Sequence, residues 1–342
     1  MQKVSDRKGV IRAAAMDQRG SLRKDIAKHK GVDPNEITAA MMSEFKVAVS
    51  KALTPHASAI LLDPEFGLDA VRARHKQAGV LLAYETTGYD QSTPGRVPLL
   101  IPTMTVQKLM ADGADCIKIL LYYTPYEKAE VNDLKHAWVE RIGCECAYRD
   151  IPFFLEFVGY DEQGKGEDNV DFAKRKPDIV MKSMQEFSKP RYGVDVLKVE
   201  VPVNMKFVEG TGAYKGDKAY SRDEAKKWFQ QAAQAAGKPF IYLSAGVTDE
   251  VFRETIELAH DAGTNFSGVL CGRATWLAGV SIYAKEGLAA FDKWVNDRGV
   301  RNIQMLNEVL DKSAHPWYEK YGGKDQVQVV DLAGNPAKVA VG

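Results

Sequence analysis

Two lysines and two carboxylates occupy stretches that otherwise read as buried. In Asp195-Val-Leu-Lys-Val-Glu-Val-Pro202, strand alternation puts Val196, Lys198 and Glu200 on one face and Leu197, Val199 and Val201 on the other. The same rule groups Lys118 with Leu120 and Tyr122, Phe154 with Glu156, Asp17 with Ala13 and Ala15, and Ser244 with Tyr242. Singly, each has a structural reading: Lys198 paired with Glu200, Lys118 with Glu156, Asp17 in a turn, Ser244 capping a helix. Jointly, Asp17, Lys118, Glu156 and Lys198 place four charges on inward faces with Glu200 behind them. Packing does not explain that set, because uncompensated buried charges are costly.

Two lysines facing one glutamate point to amine chemistry. A lysine is a nucleophile only when unprotonated, and burial beside a second cation favours that form, so Lys198 near Lys118 fits. The amine would add to a ketone and lose water, giving a protonated Schiff base that lets a neighbouring C–C bond break. Glu156 would move the protons. A metal route needs histidines or carboxylates grouped at one place. The six histidines, at positions 29, 56, 75, 136, 260 and 315, fall in helices or at helix-to-strand joints, so the site is read as free of metal and cofactor. Ser244-Ala-Gly-Val-Thr248 and Gly272-Arg-Ala-Thr-Trp276 suit a phosphate, through backbone N–H groups near Ser244, Gly246 and Gly272 and the guanidinium of Arg273. The two glycines would equally serve tight turns.

These residues need a scaffold that brings strand ends together. Short apolar runs recur at 10–16, 57–62, 80–84, 116–122, 152–158, 195–202, 239–243 and 268–271. Helical stretches are expected at 35–53, 105–111, 131–148, 169–187, 222–236 and 249–262, then at 275–297 and 301–312. Asp33-Pro34 marks the first helix start. Eight such units predict an α/β fold, a (β/α)8 TIM barrel with reactive side chains at the C-terminal strand ends. No Gly-x-Gly-x-x-Gly follows the first run, which counts against a doubly wound dinucleotide fold. A single domain is expected over 1–321, followed by a small, polar tail at 322–342 that is either disordered or laid on a neighbour.

Lys and Arg total 46, as do Asp and Glu, so nothing suggests a nucleic-acid or anionic-membrane partner. No apolar run approaches a membrane span, and the first residues lack a signal-peptide core, which predicts a cytoplasmic protein. Four cysteines, Cys116, Cys144, Cys146 and Cys271, read as reduced core residues.

The chain resembles the class I tagatose 1,6-bisphosphate aldolases. The motifs carrying the resemblance are Ala15-Met-Asp-Gln-Arg-Gly20, Ala59-Ile-Leu-Leu-Asp-Pro-Glu65, Lys118-Ile-Leu-Leu-Tyr-Tyr123, Pro152-Phe-Phe-Leu-Glu156, Asp195 to Met205, Tyr242-Leu-Ser-Ala-Gly-Val247 and Gly268 to Trp276. The resemblance implies cleavage of D-tagatose 1,6-bisphosphate to dihydroxyacetone phosphate and glyceraldehyde 3-phosphate, with relaxed ketohexose stereospecificity and a sugar phosphate as the partner. It implies Lys198 as the Schiff-base lysine, Glu156 as the proton shuttle, and Asp17, Gln18 and Lys118 as groups that hold substrate hydroxyls and tune the amine. Ser244, Gly246, Gly272 and Arg273 would take the ketone-side phosphate. A homo-oligomer, dimer or tetramer, is compatible with the sequence. Two alternatives stay open: a 6-deoxy-6-sulfofructose 1-phosphate aldolase of the same family, with Arg19 a candidate for the sulfonate, and a metabolite-sensing regulator that keeps the aldolase pocket.

Overall fold

The computed structural model describes residues 1–90 and 92–328. Eight strands, β1 (Ile11–Ala15), β2 (Ala59–Leu62), β3 (Gly79–Ala83), β4 (Cys116–Tyr122), β5 (Phe153–Val158), β6 (Val196–Val199), β7 (Phe240–Leu243) and β8 (Gly268–Cys271), close in chain order into a parallel barrel. Parallel neighbours require crossovers. These are carried by α1 (Gly20–Lys30), α2 (Ala39–Leu53), α3 (Leu68–Ala73), α4 (Val106–Ala111), α5 (Ala129–Tyr148), α6 (Val170–Phe187), α7 (Arg222–Ala235) and α8 (Asp249–Asp261). After β8 come α9 (Arg273–Trp276), α10 (Val280–Glu286), α11 (Leu288–Trp294) and α12 (Val300–Ser313). The expected (β/α)8 barrel is therefore the observed one.

The strands are buried on both faces, and the two faces separate into two apolar layers. Ile11, Ala13, Ala15, Leu61, Leu81, Phe154, Val196, Ile241 and Leu270 fill the barrel, while the alternate residues pack outward on the helices. In β7 the alternation is opposite to the sequence expectation. Ile241 points in, and Tyr242 points out among Phe229, Phe240 and Phe266. A large ring finds more apolar volume between barrel and helices than in the narrow interior. Ser244 still reaches the mouth, because the chain leaves the strand after Leu243 and turns there.

Helix boundaries depart from the sequence reading in several places, and the short α3 (Leu68–Ala73) is not anticipated by it at all. Asp33-Pro34 starts a 3-10 turn with a reciprocal Asp33/Glu36 capping box, and α2 begins only after Thr38, whose side chain accepts from Met41 N. Helix α1 has no counterpart in the sequence reading: it starts at Gly20 without a side-chain cap, and its fully buried residues are only Leu22, Ile26 and Ala27. The stretch expected as one helix over 275–297 breaks at Gly287 (φ +84°), and α11 then runs through a π turn, Val295–Gly299, into α12. Among the cysteines, Cys116, Cys146 and Cys271 are buried but Cys144 is exposed on α5, correcting its expected core position. Of the tail, Lys324–Gln326 form a 3-10 turn, and residues 329–342 lie outside the described residues. Among the described residues no helix is long and apolar enough to cross a membrane.

Candidate active site

Strand register places the reactive side chains. Glu156 and Lys198 are direct partners across the β5–β6 ladder, and Leu120 is the β4 partner of Glu156. Lys118 thus starts one inward layer deeper than Glu156, and its long stem carries the ammonium up to the carboxylate level. Lys118 Nζ donates to Asp17 Oδ2 and Glu85 Oε1, both at 2.9 Å, and lies 2.8 Å from Glu156 Oε2. Lys198 Nζ donates to that same Glu156 oxygen at 2.8 Å. One carboxylate oxygen therefore bridges the two lysines, and both are nearly excluded from water, with residue exposures of 1% for Lys118 and 4% for Lys198.

The charges set each other's protonation. Burial alone would pull the Lys118 ammonium down, but Asp17, Glu156 and Glu85 outweigh it and hold the group well above its ordinary value. Burial pushes Asp17 and Glu156 up, and in both cases Lys118 followed by Lys198 reverses this and leaves the carboxyl below its ordinary value. Around neutrality the cluster thus contains a cationic Lys118 beside ionised Asp17 and Glu156.

All nine residues singled out in the sequence, Asp17, Gln18, Lys118, Glu156, Lys198, Ser244, Gly246, Gly272 and Arg273, line one cavity of about 490 Å³ at the C-terminal strand ends. Glu200 lines it too, but it is not the partner of Lys198: it lies beyond the end of β6, pairs with Lys176 at 3.0 Å and accepts from Gly159 N at 2.8 Å. It ties β6 to the loop after β5.

Next to β6, the loop after β7 carries two consecutive left-handed residues, Ala245 (φ +49°) and Gly246 (φ +76°). For alanine that conformation is strained. A Cβ on Gly246 would sit 2.7–2.9 Å from the guanidinium of Arg273, and one on Gly272 would sit 2.9 Å from Ala15 O. Gly272 is therefore required by close approach to the β1 backbone, whereas Gly246 is favoured by its positive φ, since the guanidinium it faces is the mobile end of a long side chain. The Arg273 side chain shows neither an ion pair nor a hydrogen bond among the described residues, which leaves its donors available to an anion.

Glu85 is a site residue that the sequence reading does not pick out. There it stands as the end of the third strand, yet it shares parity with Leu81 and Ala83, and it is 3% exposed with Oε2 unpartnered. Arg19 is buried as well. It donates to Glu65 Oε1 at 3.2 Å and to the backbone oxygen of Glu85 at 2.9 Å, so its guanidinium is engaged within the protein. The loop that carries Glu85 is pinned over the mouth by Arg96, whose guanidinium lies 5.6, 5.5 and 4.8 Å from the ring centres of Tyr89, Tyr122 and Tyr160 and pairs with Glu167. Among the described residues no group of three or more His, Cys, Asp or Glu is placed to hold a metal ion.

Known proteins resemble this chain in sequence and in fold. The chain is 49% identical over 331 residues to the tagatose 1,6-diphosphate aldolase of Listeria monocytogenes, covering 97% of this chain and 96% of that protein. It is 51% identical over 320 residues to tagatose 1,6-diphosphate aldolase 2 of Enterococcus faecalis, covering 94% and 95%. Among solved structures, fructose-bisphosphate aldolase from Plasmodium falciparum superposes with a TM-score of 0.65 at 12% identity over 91% of this chain and 93% of that one. A Schiff base forming fructose-1,6-bisphosphate aldolase gives 0.53 at 15% identity over 90% and 96%. At those identities the two structures speak for the fold alone. The family model for DeoC/LacD family aldolases matches residues 11–278, and with relatives this similar over nearly its whole length the chain belongs to that aldolase family.

Proposed function

We propose that the chain is a class I aldolase that reversibly cleaves D-tagatose 1,6-bisphosphate to dihydroxyacetone phosphate and D-glyceraldehyde 3-phosphate. The observation that carries this reading is the shared Glu156 oxygen, 2.8 Å from each of two buried lysines. Lys198, having passed a proton to Glu156, attacks the C2 ketone, and the carbinolamine oxygen leaves as water after Glu156 returns a proton to it. The resulting iminium takes up the electron pair of the C3–C4 bond as the C4 hydroxyl loses its proton to a carboxylate. Glyceraldehyde 3-phosphate departs, the enamine is protonated at C3, and water releases dihydroxyacetone phosphate. Lys118 keeps its proton throughout and stabilises the carboxylates and the oxygens that gain charge. Asp17 and Gln18 orient the hydroxyls, while Ser244, Gly246, Gly272 and Arg273 hold the ketone-side phosphate. The choice of substrate is supported by the relatives, which are tagatose 1,6-diphosphate aldolases.

Borohydride reduction in the presence of dihydroxyacetone phosphate is expected to fix the adduct mass on the Lys198 peptide and to abolish cleavage. Label on a different lysine overturns the assignment.

A further inference from the structure

The tripeptide Asp63-Pro64-Glu65, at the end of β2, has no part in the chemistry above, yet both of its acids are committed to the turn between β1 and α1. Lys46, on α2, is 0% exposed, as is Asp63. Its ammonium lies 2.6 Å from Asp63 Oδ2 and donates to Met16 O at 2.6 Å and Gln18 O at 2.8 Å, the two carbonyls that flank Asp17. The other Asp63 oxygen accepts from Glu65 N and Phe66 N at 3.1 and 2.8 Å, which fixes the carboxylate itself. Glu65 then reaches the residue after Gln18 directly, through Arg19 at 3.2 Å. A fully desolvated ion pair is a poor way to gain stability, because an apolar pair of similar size often does as well or better. What an apolar pair cannot do is hold two carbonyl oxygens on either side of one side chain.

We propose that Lys46, Asp63 and Glu65 form a positioning buttress that fixes the direction in which Asp17 and Gln18 meet the substrate hydroxyls. This rests on the aldolase reading of Asp17 and Gln18 given above. The buttress acts through the backbone of residues 16–19 and touches neither substrate nor Lys198. Its loss disturbs orientation at the cleaved bond and leaves amine chemistry in place.

The test uses the paired variant Lys46→Met/Asp63→Asn, which removes both charges and keeps the acceptor for Glu65 N and Phe66 N. The thermal midpoint, borohydride labelling with dihydroxyacetone phosphate, and kcat and KM for tagatose 1,6-bisphosphate are measured together. The expected result is a folded protein that still labels on Lys198 but whose kcat/KM for cleavage falls about 100-fold, the scale of an ångström-level misplacement. A folded pair variant with wild-type kcat/KM overturns the proposal. Glu65→Gln is a second variant that leaves the core intact, since the Glu65 side chain is 37% exposed. A rise in KM of about tenfold is expected there, and an unchanged KM overturns the role of Glu65. The two failures are distinguishable: wild-type protein that takes no label on Lys198 overturns the aldolase reading, whereas labelled wild type with fully active variants overturns the buttress alone.

Discussion

An ammonium group has three protons, and Lys118 meets three carboxylates within 2.9 Å. Replacing it by methionine takes the shared cation from Asp17, Glu85 and Glu156 and leaves Lys198 paired with Glu156 alone, and removing one partner of a buried charge set costs about 3–5 kcal/mol. Lys118→Met is therefore expected to lower the unfolding free energy by that amount at pH 7, read by urea titration. The pH dependence has a definite sign. Asp17 and Glu156 are held below their ordinary 3.8 and 4.5, so their contribution is complete above those values and is lost as pH falls through the folded-state ones. Lys118 is held above its ordinary 10.5, so its share is complete below 10.5 and is lost only in stronger alkali. In the variant the strongest of the charges that hold Asp17 and Glu156 down is gone, and protonation relieves the carboxyl repulsion. The stability gap to wild type should accordingly narrow between pH 7 and pH 4; a gap that widens contradicts the electrostatic account. Strand parity makes Lys118, Glu156 and Lys198 legible in the sequence because their neighbours are strongly apolar. Glu85 escapes the same rule only because it follows Tyr84 at a strand end, where a carboxylate also reads as a turn residue.

At the level of elements, the loops after β7 and β8 work as a pair. Gly246 gives Arg273 the space for its guanidinium, and the left-handed backbone at Ala245 and Gly246 turns the chain away from the barrel at Ser244. Gly246→Ala adds a Cβ at a positive φ and pushes it onto that guanidinium. The expected cost is about 1–3 kcal/mol in stability, together with a displaced Arg273. On the proposed phosphate reading, the concentration of dihydroxyacetone phosphate that half-saturates borohydride labelling of Lys198 should rise about tenfold or more, as for a lost charge-assisted contact of about 1.5–3 kcal/mol. Unchanged saturation would place the phosphate elsewhere. The strands themselves are readable to within a few residues, because parallel strands buried on both faces appear as continuous apolar runs. Helices are less so. α1 presents only Leu22, Ile26 and Ala27 to the core and has Arg19 where a capping residue would stand, since Arg19 is engaged by Glu65 and Glu85. The side of β7 is misread for a related reason: alternation fixes which residues share a face, but only packing volume decides which face turns inward.

The whole molecule separates a reactive end from a closed end. The cavity sits at the C-terminal strand ends, while residues near both ends of the described chain meet under the N-terminal ends. Val4 is 1% exposed and packs into the inner layer with Ile11, Leu61, Leu81 and Leu270, and Ser58 Oγ donates to Val4 O at 2.8 Å. From the other end of the chain, His315 N donates to Phe266 O, Trp317 N to Gly9 O, and Tyr318 Oη to Lys8 O. This floor is not legible in the sequence, since one valine in a polar octet has no periodicity and the Tyr318–Lys8 contact joins residues 310 positions apart. A packed interior is not a pore, so a change at the floor reaches the mouth only through the stacked side chains of the barrel. Val4→Ala removes two buried methyl groups and leaves a small void, which should cost about 2 kcal/mol in urea unfolding. Cleavage per folded molecule, measured at a temperature where the variant is fully native, should keep the wild-type kcat and KM. A parallel drop in kcat/KM would show instead that the floor sets the height of Lys118 and Lys198, whose stems stand on Cys116, Phe154 and Val196 in that same inner layer.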